Sequence, residues 1–239
     1  MKAEKPRPVS SDPAGPAAHP ETLSCLVQLI SQQDANLDEI AKVIYSVPSL
    51  HTDLLRIAHI QTRAEAELVL ETIEDVLLRY GIGCVVVLVL RTPIAEALVK
   101  TFETMFSLRL TTLNPQLALP LQGEHLLCII HFTGATSGRI FLRLSYDSCR
   151  NILGQPPGGL MSATEEMLKI MAGNFKANLH AVGLEYRLGS PRVHSVNHFS
   201  LPIKRDGSTS IEHMAFYDGD TQLFLDVTAN PWGAEESLV

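Results

Sequence analysis

Long apolar runs are missing from this sequence. The most apolar stretch, Ile82 to Leu90, falls far short of the roughly 20 residues a helix needs to cross a bilayer, so no membrane association is expected. Excess positive charge is missing too: 239 residues carry a formal charge of −7, whereas nucleic-acid binders display basic stripes. No nucleic-acid partner is therefore expected. Cysteines number four, Cys25, Cys84, Cys128 and Cys149, with no Cys-x-x-Cys pair. Their apolar settings predict small buried hydrophobes rather than redox or metal ligands. No serine sits in Gly-x-Ser-x-Gly, and the glycine-rich stretch at 154–159 lacks a Gly-Lys-Ser/Thr ending, which excludes a nucleophile elbow and a P-loop. His194 and His198 would share a face of a strand expected over 192–200, but no Cys, Asp or Glu completes a ligand set. His125 and His131 share another strand face and read as packed or partly exposed. Trp232 reads as packing the chain end. No metal and no cofactor are expected.

What is present begins with prolines. Residues 1–20 hold Pro6, Pro8, Pro13, Pro16 and Pro20 among small residues, a composition that predicts a disordered tail. Lys2, Lys5 and Arg7 precede no apolar stretch, so the tail is no signal peptide and a cytoplasmic protein is expected. From Glu21 the periodicity turns helical: Leu23, Leu26, Val27 and Ile30, then Leu37, Ile40, Ala41 and Ile44. Asn36 is placed to cap the second helix, and Pro48 to stop it. A third helix carries Leu50, Leu54, Leu55 and Ala58, and a fourth spans about Ala64 to Arg79. The run Val85 to Val89 fits a buried strand or a buried helix equally, because all-apolar segments have no period. Pro93 suits the first turn of a further helix carrying Ala97, Leu98 and Phe102.

Asn36–Ile44, Pro48-Ser49-Leu50, Leu54–Ala58 and Ile73–Gly81 together resemble half of an HDOD domain. HDOD domains are helical, non-catalytic relatives of HD phosphohydrolases in bacterial signalling proteins. Val47 replaces the usual Asp before Pro, His59 stands where Asn is frequent, and no His-Asp dipeptide occurs. The resemblance thus implies no HD hydrolysis.

Residues 107–122, with Asn114-Pro115 and Leu119-Pro120, read as a linker between a helical region over 21–106 and a second domain over 123–239. In that domain strands are expected at His125–Phe132 and Gly138–Leu144, a short helix at Tyr146–Leu153, and a long helix from Ser162. Strands near 192–200, 209–217 and 221–227 follow, the last two joined at Asp218-Gly219-Asp220. Ser162 and Glu165 have capping-box spacing. Leu168, Met171, Ala172, Phe175, Leu179 and Val182 predict the buried stripe, with Glu165, Glu166, Lys169, Lys176 and Asn178 away from it. Gly173 in mid-helix predicts close approach by another element.

This element order, with Met171-Ala172-Gly173-Asn174-Phe175-Lys176, Gly183-Leu184 and Ser190-Pro191, resembles a CheX-type chemotaxis phosphatase domain of the CheC/CheX/FliY superfamily. The resemblance implies an α+β fold with an antiparallel sheet, joined to the partial HDOD-like helical domain. It implies a CheY-like response-regulator receiver as partner, and a homodimer through sheet edges. It further implies a Glu and, three residues on, an Asn that orients water toward an aspartyl phosphate. The Glu falls on Glu166 and the Asn position on Lys169, whose ammonium has no acceptor to hold a water. The implied surface is Glu165, Glu166, Lys169 and Lys176. The implied function is receiver binding without efficient hydrolysis; the alternative is an active phosphatase with another residue replacing the Asn. Asn174, eight residues beyond Glu166, is a weak substitute. Without the resemblance, the Glu/Lys group reads as a solvated helix face, and a protein of purely structural role remains open.

Overall fold

The computed structural model describes residues 20–32, 34, 36–62, 72–113, 121, 123–134, 136–154, 159–199, 201, 209–219 and 221–230. The tail expected over 1–20 lies outside these up to residue 19, as do Trp232 and much of the Gly/Pro loop. The order is α1 Pro20–Ile30, α2 Leu37–Tyr45, α3 Pro48–Thr62, α4 Ile73–Tyr80, α5 Gly83–Phe106, β1 Thr111–Leu113, β2 His125–Thr133, β3 Ser137–Ser145, α6 Tyr146–Leu153, α7 Leu160–Ala181, β4 Arg187–Leu188, β5 Arg192–Val196, β6 Ser210–Asp218 and β7 Thr221–Asn230. The protein is α+β. No single helix among the described residues is long and apolar enough to cross a membrane.

Local chemistry sets several element ends. Asn36 Oδ1 accepts the Asp38 N–H at 3.0 Å and starts α2, and Pro48 opens α3, where its missing N–H costs nothing. Of the fourth helix expected from Ala64, residues 64–71 lie outside the described residues. Thr72 caps the remainder by accepting from the Asp75 N–H at 3.1 Å. The ambiguous run Val85 to Val89 is helical. It belongs to α5, in which every residue from Gly83 to Leu90 is buried, as an all-apolar helix requires. Pro93 lies inside α5 rather than in the first turn of a separate helix. An internal proline usually costs about 3 kcal/mol, and burial of the apolar residues on both sides offsets it.

All seven strands are antiparallel, in the order β1-β6-β7-β3-β2-β4, with β5 also paired to β2. The stretch expected as a linker contains β1, which pairs with β6, and the buried Leu110. One sheet face carries Leu126, Cys128, Ile130, Ile140, Leu142, Leu223, Leu225, Val227, Met214 and Phe216 into the core. Helices α5 and α7 lie across the sheet, while α1, α3 and α4 close on α5. The buried hydrophobics of the helical region and of the sheet form one continuous cluster. Helix α5 is therefore common to both halves of the molecule.

Candidate functional site

Helix α7 does not use the expected capping box. Gly159, with φ 89° and ψ 165°, occupies its N-cap without a side-chain bond. Ser162 and Glu165 thus lie inside the first turns. A positive φ is available to glycine at little cost, which lets the loop enter the helix three residues early. The buried face is Thr164, Met167, Leu168, Met171, Ala172, Phe175 and Leu179, with Val182 half-buried. Glu165, Glu166, Lys169, Ile170, Gly173, Lys176 and Ala177 are exposed.

The Lys169 ammonium donates to Glu166 Oε1 at 2.5 Å. Their side chains are 58% and 68% exposed, so the pair adds little stability. That hydrogen bond, followed by the charge of Glu166, raises the Lys169 pKa. The side chains one turn apart therefore form an exposed, self-neutralised ion pair. Water-orienting chemistry needs a group that both donates and accepts, and Lys169 only donates.

Asn174 does not join this face. Its amide donates to Thr101 Oγ1 at 2.8 Å, across to α5. Asn178, expected among the outward polar residues, is half-buried and donates to the Pro93 carbonyl at 3.1 Å. Both carboxamides join α7 to α5, which runs antiparallel to it. Gly173 departs from expectation in the opposite sense: a Cβ built there meets nothing within 4 Å. The glycine is open to solvent, and no other element among the described residues approaches it.

Two buried carboxylates escaped the sequence reading. Glu212 of β6 is fully buried; its Oε1 meets Arg56 of α3 at 2.6 Å and Arg91 of α5 at 3.2 Å. Asp53 also faces Arg91, at 3.0 Å. Burial raises the Glu212 pKa, while the two guanidinium groups oppose that shift. Asp226 of β7 is 1% exposed on the opposite sheet face and binds Arg143 at 2.9 Å and His213 Nδ1 at 2.6 Å. Strand alternation offered the signal: Glu212 is in phase with the apolar Met214 and Phe216, and Asp226 interrupts the apolar run Leu223 to Val227.

Among the described residues no group of three or more His, Cys, Asp or Glu could hold an ion. Strand β5 ends at Val196, so His198 lies beyond it and does not share a strand face with His194. Cys84, Cys128 and Cys149 are buried, and burial pushes Cys84 and Cys149 up to about 12. Contrary to expectation, Cys25 is exposed.

The fold and this helix define an α+β protein with a charged, outward-facing helix on an antiparallel sheet. No protein-family profile matches the chain, and no curated protein does. Solved structures of chemotaxis proteins are similar to it. The chemotaxis protein CheX from Vibrio vulnificus is 21% identical with a TM-score of 0.49, over 59% of this chain and 96% of that one. A CheC-like superfamily protein from Shewanella sp. PV-4 is 18% identical with a TM-score of 0.46, over 59% and 97%. A CheX–CheY–BeF3–Mg complex from Borrelia burgdorferi gives 16% and 0.46, over 59% and 97%.

Proposed function

We propose that this chain is a bacterial signalling protein that binds a CheY-like receiver domain through the exposed face of α7 and does not efficiently hydrolyse its aspartyl phosphate. One observation carries the reading: Lys169 occupies the position three residues after Glu166 and is ion-paired to it at 2.5 Å. Glu166 remains available to a cationic partner group, because its bond to Lys169 is exposed and exchanges readily with solvent or a competing cation. The nearest carboxamides along the helix, Asn174 and Asn178, are engaged with α5. At the two motif positions neither group both donates to and accepts from an attacking water, since the Glu166 carboxylate only accepts and the Lys169 ammonium only donates, so binding persists where turnover fails.

Titration calorimetry of the full chain with a beryllofluoride-activated receiver from its own two-component circuits tests the binding. The reading requires a 1:1 complex that Glu166→Lys weakens at least tenfold while thermal unfolding stays unchanged. Absence of binding by every such receiver, or binding indifferent to Glu166→Lys and Lys176→Glu, contradicts it.

A further inference from the structure

We propose that a basic corner on the outer sheet face, built from Arg187 and Arg192 to either side of His131, docks an acidic, extended protein segment along the open edge of β5. The ladder registers put these residues together. Arg139 lies directly opposite His131. Arg192 lies opposite Ile129, and Arg187 opposite Thr133, the residues two positions to either side of His131. Gly189 N donates to the His131 carbonyl at 2.8 Å and pins the β4–β5 corner there.

The sign of charge on this face is lopsided. The outward positions of the ladder hold four arginines, Arg139, Arg143, Arg187 and Arg192, against a single carboxylate, Asp226. That carboxylate is consumed by Arg143 and His213. Arg187 and Arg192 are exposed and have no carboxylate partner among the described residues. The His131 pKa is lowered by partial burial and then by Arg139 and Arg192, an independent sign that the local field is positive. A positive patch on a chain of charge −7 favours an anionic partner at close range and steers its approach.

The edge supplies the second element of recognition. Strands β4 and β5 both pair with β2, and their far edges meet no strand among the described residues. Arg192 and His194 project from the same face, about 6.7 Å apart along β5. An extended segment paired to this edge would set carboxylates at every second position beside them. Nucleic acid fits less well, because a long polyanion would meet the acidic remainder of the chain. A second copy fits less well too, since pairing β5 with β5 adds another Arg192 and His194 to the same cationic face.

Fluorescence anisotropy of the full chain with a labelled nine-residue peptide bearing Glu at alternate positions tests the proposal. The expected result is saturable binding, weakened at least tenfold by Arg187→Glu/Arg192→Glu and at least fivefold between 50 and 300 mM salt. Arg192→Gln should fall between, and Glu166→Lys on α7 should have no effect, which separates this surface from the receiver site. The same peptide with Gln for Glu should not bind. Equal binding by the Gln peptide, or insensitivity to the double substitution, overturns the proposal. So does tighter binding of a single-stranded oligonucleotide or phosphatidylglycerol vesicles, or a dimer in sedimentation that Arg192→Glu dissociates.

Discussion

The Asn174 carboxamide donates to the Thr101 hydroxyl across 2.8 Å, and that hydroxyl donates onward to the Ala97 carbonyl at 2.6 Å. The chain of bonds joins the two helices that cover the sheet. It also removes Asn174 from the surface on which a partner would dock.

Asn174→Ala should therefore behave as a stability variant. Thr101 keeps its bond to Ala97, so the loss is that of one partly buried hydrogen bond, about 1 kcal/mol. Urea unfolding should show a lowered midpoint with unchanged slope, and receiver affinity should stay within twofold of the parent.

Gly173 gives the reverse pattern. Its helical backbone accepts a Cβ that meets nothing within 4 Å, so Gly173→Ala should stabilise the chain by about 0.5–1 kcal/mol. If the receiver packs on α7, the same methyl should weaken its binding. Stability gained with affinity lost is a signature that a merely solvated face would not produce, and calorimetry on the two proteins measures both.

Glu212 ties the helical region to the sheet. Glu212→Ala leaves Arg56 and Arg91 with Asp53 alone and should cost about 3 kcal/mol, the lower end for breaking a buried pair, because both arginines reach solvent. The pH dependence has a definite sign. The folded-state pKa of Glu212 is raised by burial, so the folded protein holds the proton more tightly than the unfolded chain. The proton-linked part of this residue's contribution to stability is present below the unfolded value, near 4.5, and is lost as pH rises from there through the folded value. Glu212→Gln should remove that component from a stability profile between pH 4 and 8.

Because α5 serves both halves, the helical region is not a removable ornament. A chain lacking residues 20–82 would uncover the side of α5 that α1, α3 and α4 cover, within a run, Val85 to Leu90, whose residues are at most 4% accessible in the intact protein. Such a chain should bind a hydrophobic dye such as ANS and elute as aggregates in size exclusion. A monomeric, dye-silent product would show that the sheet half folds alone.

Much of this arrangement was legible from residue order. The apolar runs His125–Phe132 and Gly138–Leu144, joined by a Gly-containing loop, marked two central strands as a hairpin. The buried stripe from Leu168 to Leu179 likewise marked α7. The run Val85 to Val89 could not be resolved, since enclosure on all sides erases periodicity. Gly159 as a helix cap was hidden, because glycine is compatible with many backbone conformations. The site was legible only as a pattern. The exposed pair Glu166 and Lys169 followed from helical spacing, but the partner of Asn174 lies 73 residues away in sequence, and no local rule reaches that far. The cationic outer face was invisible for the same reason: Arg139, Arg187 and Arg192 meet only through strand register.

The most direct test of the receiver-binding account is the lifetime of a cognate receiver's aspartyl phosphate. It is measured with stoichiometric parent protein, with Lys169→Asn and with Glu166→Ala. The account predicts a lifetime unchanged by the parent and shortened at least tenfold by Lys169→Asn. Rapid dephosphorylation by the parent that disappears in Glu166→Ala would contradict it.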